Sequence, residues 1–571
     1  MRNEYPRPQM VRNNWQCLNG TWEFSIDPGN SGLERNFAKA GRFEKRITVP
    51  FCPESELSGI NEKDFMECVW YARNFKLPQS MEGKRVFLRF EAADFETQVW
   101  LNGQPLGIHR GGYTPFAFEI TNTAIHSDNR LVVRCYDNVR SGLQATGKQS
   151  ENYFSAGCHY TRTTGIWQTV WLEAMPDIFV EDIKYDVDIH TPAVTVTLEL
   201  SGYAKDFPIR VGIAFNGKSM GTAEASCTGT RCVLTIPLKE KHLWECGQGR
   251  LYDVTISAGD DVLDSYFGLR DVSIVGNKIL INGKPVYQRL VLDQGFYPDG
   301  ICTAPSDEAL IKDIELSLKA GFNGARLHQK VFEQRFLYHA DRLGYLVWGE
   351  YPSWGLDIKT HGVGLAVMLP EWLEILKRDR NHPSLIGWCP LNETVAAQDQ
   401  ALLAGIYQVT KAIDPTRPVI DASGYVHVIT DIWDFHDYEQ NPQEFARRYG
   451  KGNLQATSIE FPYGGTMVYD GKQPYFMSEY GGIWWNATET DGWGYGVRVN
   501  SEEEFYTRLE GLTDVLLDNP EITAFCYTQL TDVEQEKNGI YHYDRSEKFD
   551  MGRINRIFSK KAAMEGYSHL S

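Results

Sequence analysis

The sequence holds 11 cysteines but no Cys-x-x-Cys pair, which excludes zinc-ribbon and thioredoxin-like chemistry. The cysteines are scattered and odd in number, and no apolar leader follows the opening Met1-Arg2-Asn3-Glu4-Tyr5-Pro6. Together these features predict a reducing, cytoplasmic setting in which the thiols act as small apolar groups. A run of about 18 apolar residues is also missing, so no spanning helix and no membrane partner are expected. Basic residues are in deficit, with 57 Lys and Arg against 75 Asp and Glu and a net charge of −18. That balance argues against nucleic acid or an anionic membrane as a partner. Finally, no Gly-x-Gly-x-x-Gly opens the α/β half of the chain, which argues against a doubly wound dinucleotide-binding sheet.

What is present points elsewhere. A chain of 571 residues exceeds one ordinary core and predicts two to four domains. Aromatic residues make up 13% of it, with 15 Trp. Most of these must fill β cores, and a few are suited to stacking on the apolar C–H face of a sugar. Up to about residue 177 the pattern is short alternating strands between turns, such as Thr21–Ser25, Arg85–Phe90 and Thr97–Leu101 closed by Asn102-Gly103, a strong hairpin signal. This spacing predicts a β-sandwich over residues 1–177. Period-two runs at Val194–Leu200, Ile209–Phe215 and Cys232–Ile236 predict a second, immunoglobulin-like sandwich over 178–274.

From about 275 to 571 strands alternate with helices. Helices are predicted at Ser306–Ala320, Phe332–Leu343, Met368–Arg380, Gln400–Ile413 and Glu503–Leu517. Eight strand candidates run from Tyr287–Val291 to Ile522–Cys526, the fifth being Pro418–Asp421. Eight βα units in this length predict a closed (β/α)₈ TIM barrel. The expected fold class is therefore multidomain, β plus α/β.

In such a barrel the chemistry lies at the carboxyl ends of the strands. Asp293, Arg326, His328, Glu350, Asn392, Glu393, Asp421, His436, Asp437 and Glu479 all follow apolar runs there. Tyr438, Tyr480, Trp484 and Gln529 are further candidates for the pocket wall. Glu393 ends the fourth strand and Glu479 the seventh, on opposite sides of the mouth. Two carboxylates about 5–5.5 Å apart suit a retaining glycosidase, one attacking the anomeric carbon while the other protonates the leaving oxygen and then activates water. Asn392, directly before Glu393, is placed to bond the sugar 2-hydroxyl.

These motifs resemble glycoside hydrolase family 2, and the resemblance covers nearly the whole chain. Leu18-Asn19-Gly20-Thr21-Trp22, Trp70-Tyr71, Trp100–Gly103 and Thr164-Gly165-Ile166-Trp167 resemble the family's sugar-binding jelly roll. Phe267-Gly268-Leu269-Arg270 with Ile281–Pro285 resembles its junction into the barrel. Arg380-Asn381-His382-Pro383-Ser384 through Asn392-Glu393 resembles the acid/base strand, and Ser478-Glu479-Tyr480-Gly481 the nucleophile strand. The resemblance implies retention, two catalytic Glu residues and three domains.

Several positions depart from the family pattern. The Asn-x-Lys with which family β-glucuronidases read a sugar carboxylate is replaced by Glu536-Lys537-Asn538, which argues against glucuronides. The Glu and His that hold magnesium in family β-galactosidases are not matched after the third strand, where Glu350-Tyr351-Pro352-Ser353-Trp354 stands, so neither a metal nor another cofactor is expected. Arg326-Leu327-His328-Gln329 is one residue shorter than the family's Arg-x-x-His, leaving His328 or Gln329 for that role. The eighth strand ends in Tyr527-Thr528-Gln529 where Trp is usual, and the first in Asp293-Gln294 where His is usual. The predicted function is a retaining exo-β-glycosidase acting on a terminal non-reducing sugar of a glycoside or oligosaccharide. A β-galactoside is the first choice, and a β-galactofuranoside or arabinopyranoside the alternative. A non-catalytic carbohydrate-binding protein and a metal-dependent hydrolase are the competing classes, and assembly into a homo-oligomer is left open.

Overall fold

The computed structural model describes residues 2–40, 42–125, 127–454, 458–460, 466–487 and 491–566. No described helix is long and apolar enough to cross a membrane.

The first sandwich pairs a four-stranded sheet with a six-stranded one. Period-two burial creates it: Arg85–Phe90 and Glu96–Leu101 each turn every second side chain inward. Val86, Leu88, Phe90, Val99, Leu101 and Val133 meet between the sheets, each contributing roughly 1.5–3 kcal/mol by burial. The predicted turn at Asn102-Gly103 links Glu96–Leu101 to Gln104–Arg110, with φ of 52° and 78° at its two residues. The second sandwich is built around two long strands, Ala193–Phe215 and Lys218–Pro237. Their ladder shifts register between Glu199 and Phe207, and their inward residues Val194, Val196, Val211 and Leu234 form a separate core.

The last part is the barrel. Its strands are β1 (Gln288–Asp293), β2 (Gly324–Leu327), β3 (Leu346–Glu350), β4 (Leu385–Cys389), β5 (Ala422–Ser423), β6 (Trp433–Asp437), β7 (Tyr475–Gly481) and β8 (Ile522–Thr528). Seven of them form one parallel sheet in the order β4-β3-β2-β1-β8-β7-β6. β5 closes the ring from the side. It pairs with Leu391–Asn392, and Ser423 Oγ and Gly424 N donate to Asp434 of β6 at 2.7 and 3.1 Å.

The predicted fifth strand at Pro418–Asp421 is thus corrected. Only Val419 bridges β4, and the ladder forms at Ala422–Ser423, just past the predicted strand. The cause is Asp421, whose carboxylate accepts from the backbone N–H groups of Ala422, Val428 and Ile429 and so bends the chain. The helices around the barrel are α1 (Asp307–Ala320), α2 (Gln334–Leu343), α3 (Val363–Asp379), α4 (Gln400–Ile413), α5 (Pro442–Tyr449), α6 (Glu502–Asp518) and α7 (Met551–Phe558). Side-chain caps start several of them, Ser306 on Ala309 N for α1 and Ser501 on Glu504 N for α6.

The motif Arg380–Ser384 does its work at the bottom of the barrel. Asn381 exchanges hydrogen bonds with Ile183 O and Tyr185 N of the second sandwich at 2.7 and 3.1 Å. Arg270 donates to Pro383 O at 2.8 Å and to Leu385 O at 2.6 Å, and Arg417 donates to the same Leu385 carbonyl at 2.6 Å. Burial and the neighbouring Arg417 lower the Arg270 pKa to about 9. Two guanidiniums therefore pin the entry of β4, the strand that leads to Glu393. Substituting Arg270→Met removes the donor to Pro383 O and leaves Leu385 O with Arg417 alone, a loss of about 1–3 kcal/mol. The expected result is a lower melting transition for the whole chain by differential scanning calorimetry, and an unchanged transition contradicts the anchoring role.

Candidate active site

Arg326 on β2 is the hub of the site. It is 1% exposed and donates to Glu350 Oε1 at 2.6 Å, Ser478 O at 2.7 Å, Glu479 Oε1 at 3.1 Å and Asn392 Oδ1 at 3.2 Å. It thereby ties β2 to β3, to β7 and to the segment after β4. Burial opposes its charge, but Glu350 and Glu479 outweigh that and raise its pKa well above the ordinary value.

Glu479 sits in this cage. Its Oε2 accepts a short hydrogen bond from Tyr438 OH, and Tyr438 is held by Thr528 Oγ1 at 3.0 Å and by stacking on Tyr495. Glu393 is less buried, with 19% of its side chain exposed. His436 lies between the two, its Nδ1 2.9 Å from Glu393 Oε1 and its Nε2 3.4 Å from Glu479 Oε1. Oxygens of the two carboxylates and a nitrogen of His436 all fall within 4.8 Å of one another. Burial pushes the Glu393 carboxyl up, yet His436, Lys148 and the Tyr425 hydroxyl outweigh it and hold it below its ordinary value.

The same three groups have the donor types of a metal site. Arg326 Nη1, however, stands 3.1 Å from Glu479 Oε1 and 3.4 Å from His436 Nε2. A fixed positive charge already occupies the place where a cation would bring its own, which disfavours the metal-dependent reading.

The other candidates divide into those near the pair and those elsewhere. His328 faces inward, with Nδ1 3.0 Å from Glu350 Oε2 and Nε2 3.9 Å from Glu479 Oε1. Burial and Lys148 lower its pKa well below normal, so the ring is neutral. Gln329 bonds Ser353 Oγ and Trp354 N instead, so it shapes the loop after β3, and His328 is the one that approaches Glu479. Glu350 supports Arg326 and His328 from behind and makes no direct contact with the pair.

Four candidate positions require correction. Tyr480 is fully buried, bonds Thr513 on α6 at 2.9 Å and packs on Phe525 and Tyr527. It points into the layer between sheet and helices because neighbours on a strand alternate faces. Asp293 accepts from Gly295 N at 2.9 Å, and its pKa is pushed up to about 7 by burial and by Asp313, so it belongs to a structural cluster below the first loop. Asp421 and Asp437 are likewise structural, Asp437 accepting from Arg448 and Tyr449. Gln529 accepts from Gln294 and donates to Asn538, which in turn donates to Glu536, so it holds the wall rather than the pair. Trp484 is half-buried in the loop after β7, and its ring N–H is buried with no acceptor among the described residues.

The sequence reading missed Lys148, Tyr160 and Tyr495. The first two come from the jelly roll, at no fixed spacing from any barrel motif. Tyr495 was readable only as one aromatic residue in a Trp- and Tyr-rich loop.

A buried arginine clamp and two opposed carboxylates at the mouth of a parallel barrel define a barrel glycoside hydrolase. Comparison with known proteins makes the family specific. Residues 15–176 match the sugar binding domain of glycosyl hydrolases family 2, and residues 272–490 match that family's TIM barrel domain. The chain belongs to glycosyl hydrolase family 2 and is a glycoside hydrolase. It is 26% identical to a beta-glucuronidase of Paenibacillus borealis over 459 residues, covering 73% of this chain and 74% of that one. It is 25% identical to a beta-galactosidase of Streptococcus thermophilus, covering 87% of this chain and 51% of that one. An uncultured Clostridium beta-glucuronidase shares the fold, with a TM-score of 0.80 at 21% identity over 96% of this chain and 99% of that one.

One buried pair makes the wall of the site sensitive to pH. His427 lies between Asp421 at 2.8 Å and Asp434 at 3.2 Å. Burial works against its charge, but the two carboxylates prevail and raise its pKa to about 9. A raised folded-state pKa gives stability that is fully present below the unfolded value of about 6.5 and is lost as pH rises through about 9. Melting temperature is expected to fall over that window, and His427→Gln to flatten the fall. An equal slope in both proteins would exclude the pair as its source.

Proposed function

We propose that this chain is a retaining exo-β-glycosidase in which Glu479 attacks the anomeric carbon and Glu393 serves as acid and then base. One observation carries the reading: the two carboxylates approach within 4.8 Å from opposed strands, near the separation of about 5–5.5 Å that a covalent intermediate needs. Arg326 and Tyr438 suit Glu479 to the nucleophile's part, because both donate hydrogen bonds to its carboxylate and fix its direction. Glu393 is the more exposed, and its side chain meets the His436 ring and the Tyr425 hydroxyl. A sugar lying over it excludes water and moves its pKa upward, toward the protonated form a leaving oxygen requires. Asn392, held by Arg326, is placed for the 2-hydroxyl, a contact that strengthens as oxocarbenium character develops.

The substrate proposed is a glycoside with a neutral terminal sugar, a β-galactoside first and a β-galactofuranoside or arabinopyranoside next. The relatives named beta-glucuronidase favour a second reading, a glucuronide. Against it stands Glu536, a buried carboxylate where a uronate would need a donor. All eleven cysteines are free, which supports a reducing, cytoplasmic location.

The test is a nitrophenyl glycoside panel that includes the β-galactopyranoside, β-galactofuranoside, α-L-arabinopyranoside and β-glucuronide. Wild type is expected to cleave a neutral member fastest. Glu479→Gln should lower kcat by about 10³-fold or more, and Glu393→Ala should regain turnover with azide on an activated substrate. Equal rates in wild type and Glu479→Gln would reject the assignment, and a preference for the glucuronide would replace the neutral sugar.

A further inference from the structure

The barrel mouth holds a charge that makes no hydrogen bond to the carboxylate pair or its supports, although its field reaches them. Lys148 comes from the jelly roll and is 6% exposed. Its ammonium lies 3.9 Å from the ring centre of Trp354 and makes no hydrogen bond or salt bridge to a protein acceptor among the described residues. Burying the Lys148 side chain while its ammonium reaches only the space in front of it, with no such acceptor, is costly, and the fold builds a specific path to put it there. Thr146 N and Gly147 N donate to the carbonyls of Trp354 and Pro352 in the loop after β3 at 2.8 and 3.2 Å. A Cβ on Gly147, whose φ is +58°, would stand 2.2 Å from Gln329 O, so only glycine lets the chain approach this closely. On the other side of the mouth, Gln535 Nε2 donates to the carbonyls of Gly157 and His159 at 2.6 and 3.0 Å. The jelly-roll segment therefore spans the pocket from the β3 loop to the β8 loop.

Across from Lys148 stands Glu536, 1% exposed. Tyr160 OH, from the same jelly-roll segment, donates to its Oε2 at 2.5 Å, and Asn538 Nδ2 donates to its Oε1 at 2.8 Å. Each oxygen keeps a lone pair for a further donor. Lys148 and Glu536 are more than 4.0 Å apart, since no salt bridge forms between them, yet each acts electrostatically on the other and on Glu479. Trp354, on which Lys148 packs, donates its ring N–H to Asn392 O at 3.3 Å, directly before Glu393, and so places the ammonium beside the carboxylate pair.

Resting on the glycosidase reading above, we propose that Lys148 and Glu536 are specificity-determining residues that grip hydroxyls of the terminal sugar away from the scissile bond. The ammonium donates to a hydroxyl oxygen and the carboxylate accepts a hydroxyl proton. The pair selects a neutral, fully hydroxylated sugar. A deoxy sugar leaves one of two buried charges unpaired, and a uronate meets the Glu536 charge.

The experiment compares wild type, Lys148→Met and Glu536→Gln on the neutral nitrophenyl glycoside that wild type cleaves fastest and on its 3-, 4- and 6-deoxy analogues where those positions exist. Wild type is expected to lose about 10–100-fold in kcat/KM on at least one deoxy analogue, the value of a hydrogen bond to a charged group. Lys148→Met should lose a similar factor on the parent sugar and show no further loss on that analogue, and Glu536→Gln should behave likewise at its own hydroxyl. Variants that lose equally on the parent and every analogue, or that match wild type throughout, overturn the proposal. So does a wild type that prefers the glucuronide and forfeits that preference in Lys148→Met. A wild type that cleaves no glycoside rejects the glycosidase reading itself, whereas cleavage with both variants unaffected rejects this inference alone. Because Glu536 lies in a different segment, a poorly folded Lys148→Met still leaves an informative variant.

Discussion

The buried guanidinium of Arg326 is the constraint on which the site depends. It gathers Glu350, Asn392, Glu479 and the Ser478 carbonyl from three parts of the barrel, β3, the segment after β4, and β7 across the mouth. Without its charge, Glu350 and Glu479 would lose their shared buried counter-ion, a change that is strongly destabilising in a protein interior. With it, Glu479 Oε1 has a charged donor in place, and Asn392 is fixed next to the residue that must meet the leaving group. Order is fixed by hydrogen bonds made before any sugar arrives, which is where a preorganised site gains its advantage.

The barrel does not make the pocket alone. The acid/base segment is positioned from below by Arg270 and Arg417 on Leu385, and its mouth is crossed from above by the jelly-roll segment carrying Lys148 and Tyr160. Each of the two β-sandwiches thus adjusts one end of the catalytic strand system. The β-domains are therefore parts of the site as well as the surroundings of the barrel.

Much of this was legible in the sequence. Period-two runs marked the sandwiches, strand–helix alternation marked the barrel, and Glu393 and Glu479 stood out because each ends an apolar strand. What was not legible has physical causes. Tyr480 follows Glu479 directly and so points to the opposite face. Asp293 and Asp421 carry carboxylates at strand ends but turn them onto local backbone N–H groups, which sequence position does not distinguish from pocket-facing ones. The fifth strand was placed just before its true position because Asp421 pulls the chain out of register. Lys148 escaped altogether, since its role depends on a contact between segments about 180 residues apart, from Gly147 to Gln329.

The central claim is that Glu479 forms the covalent link to the sugar. It is tested most directly by inactivating the enzyme with a 2-deoxy-2-fluoro glycosyl fluoride of the preferred sugar and locating the label by peptide mass spectrometry. The account predicts one sugar per chain, attached within Ser478-Glu479-Tyr480-Gly481 at the Glu479 carboxylate. A label on Glu393 or any other residue, or full inactivation with no covalent adduct, would contradict it.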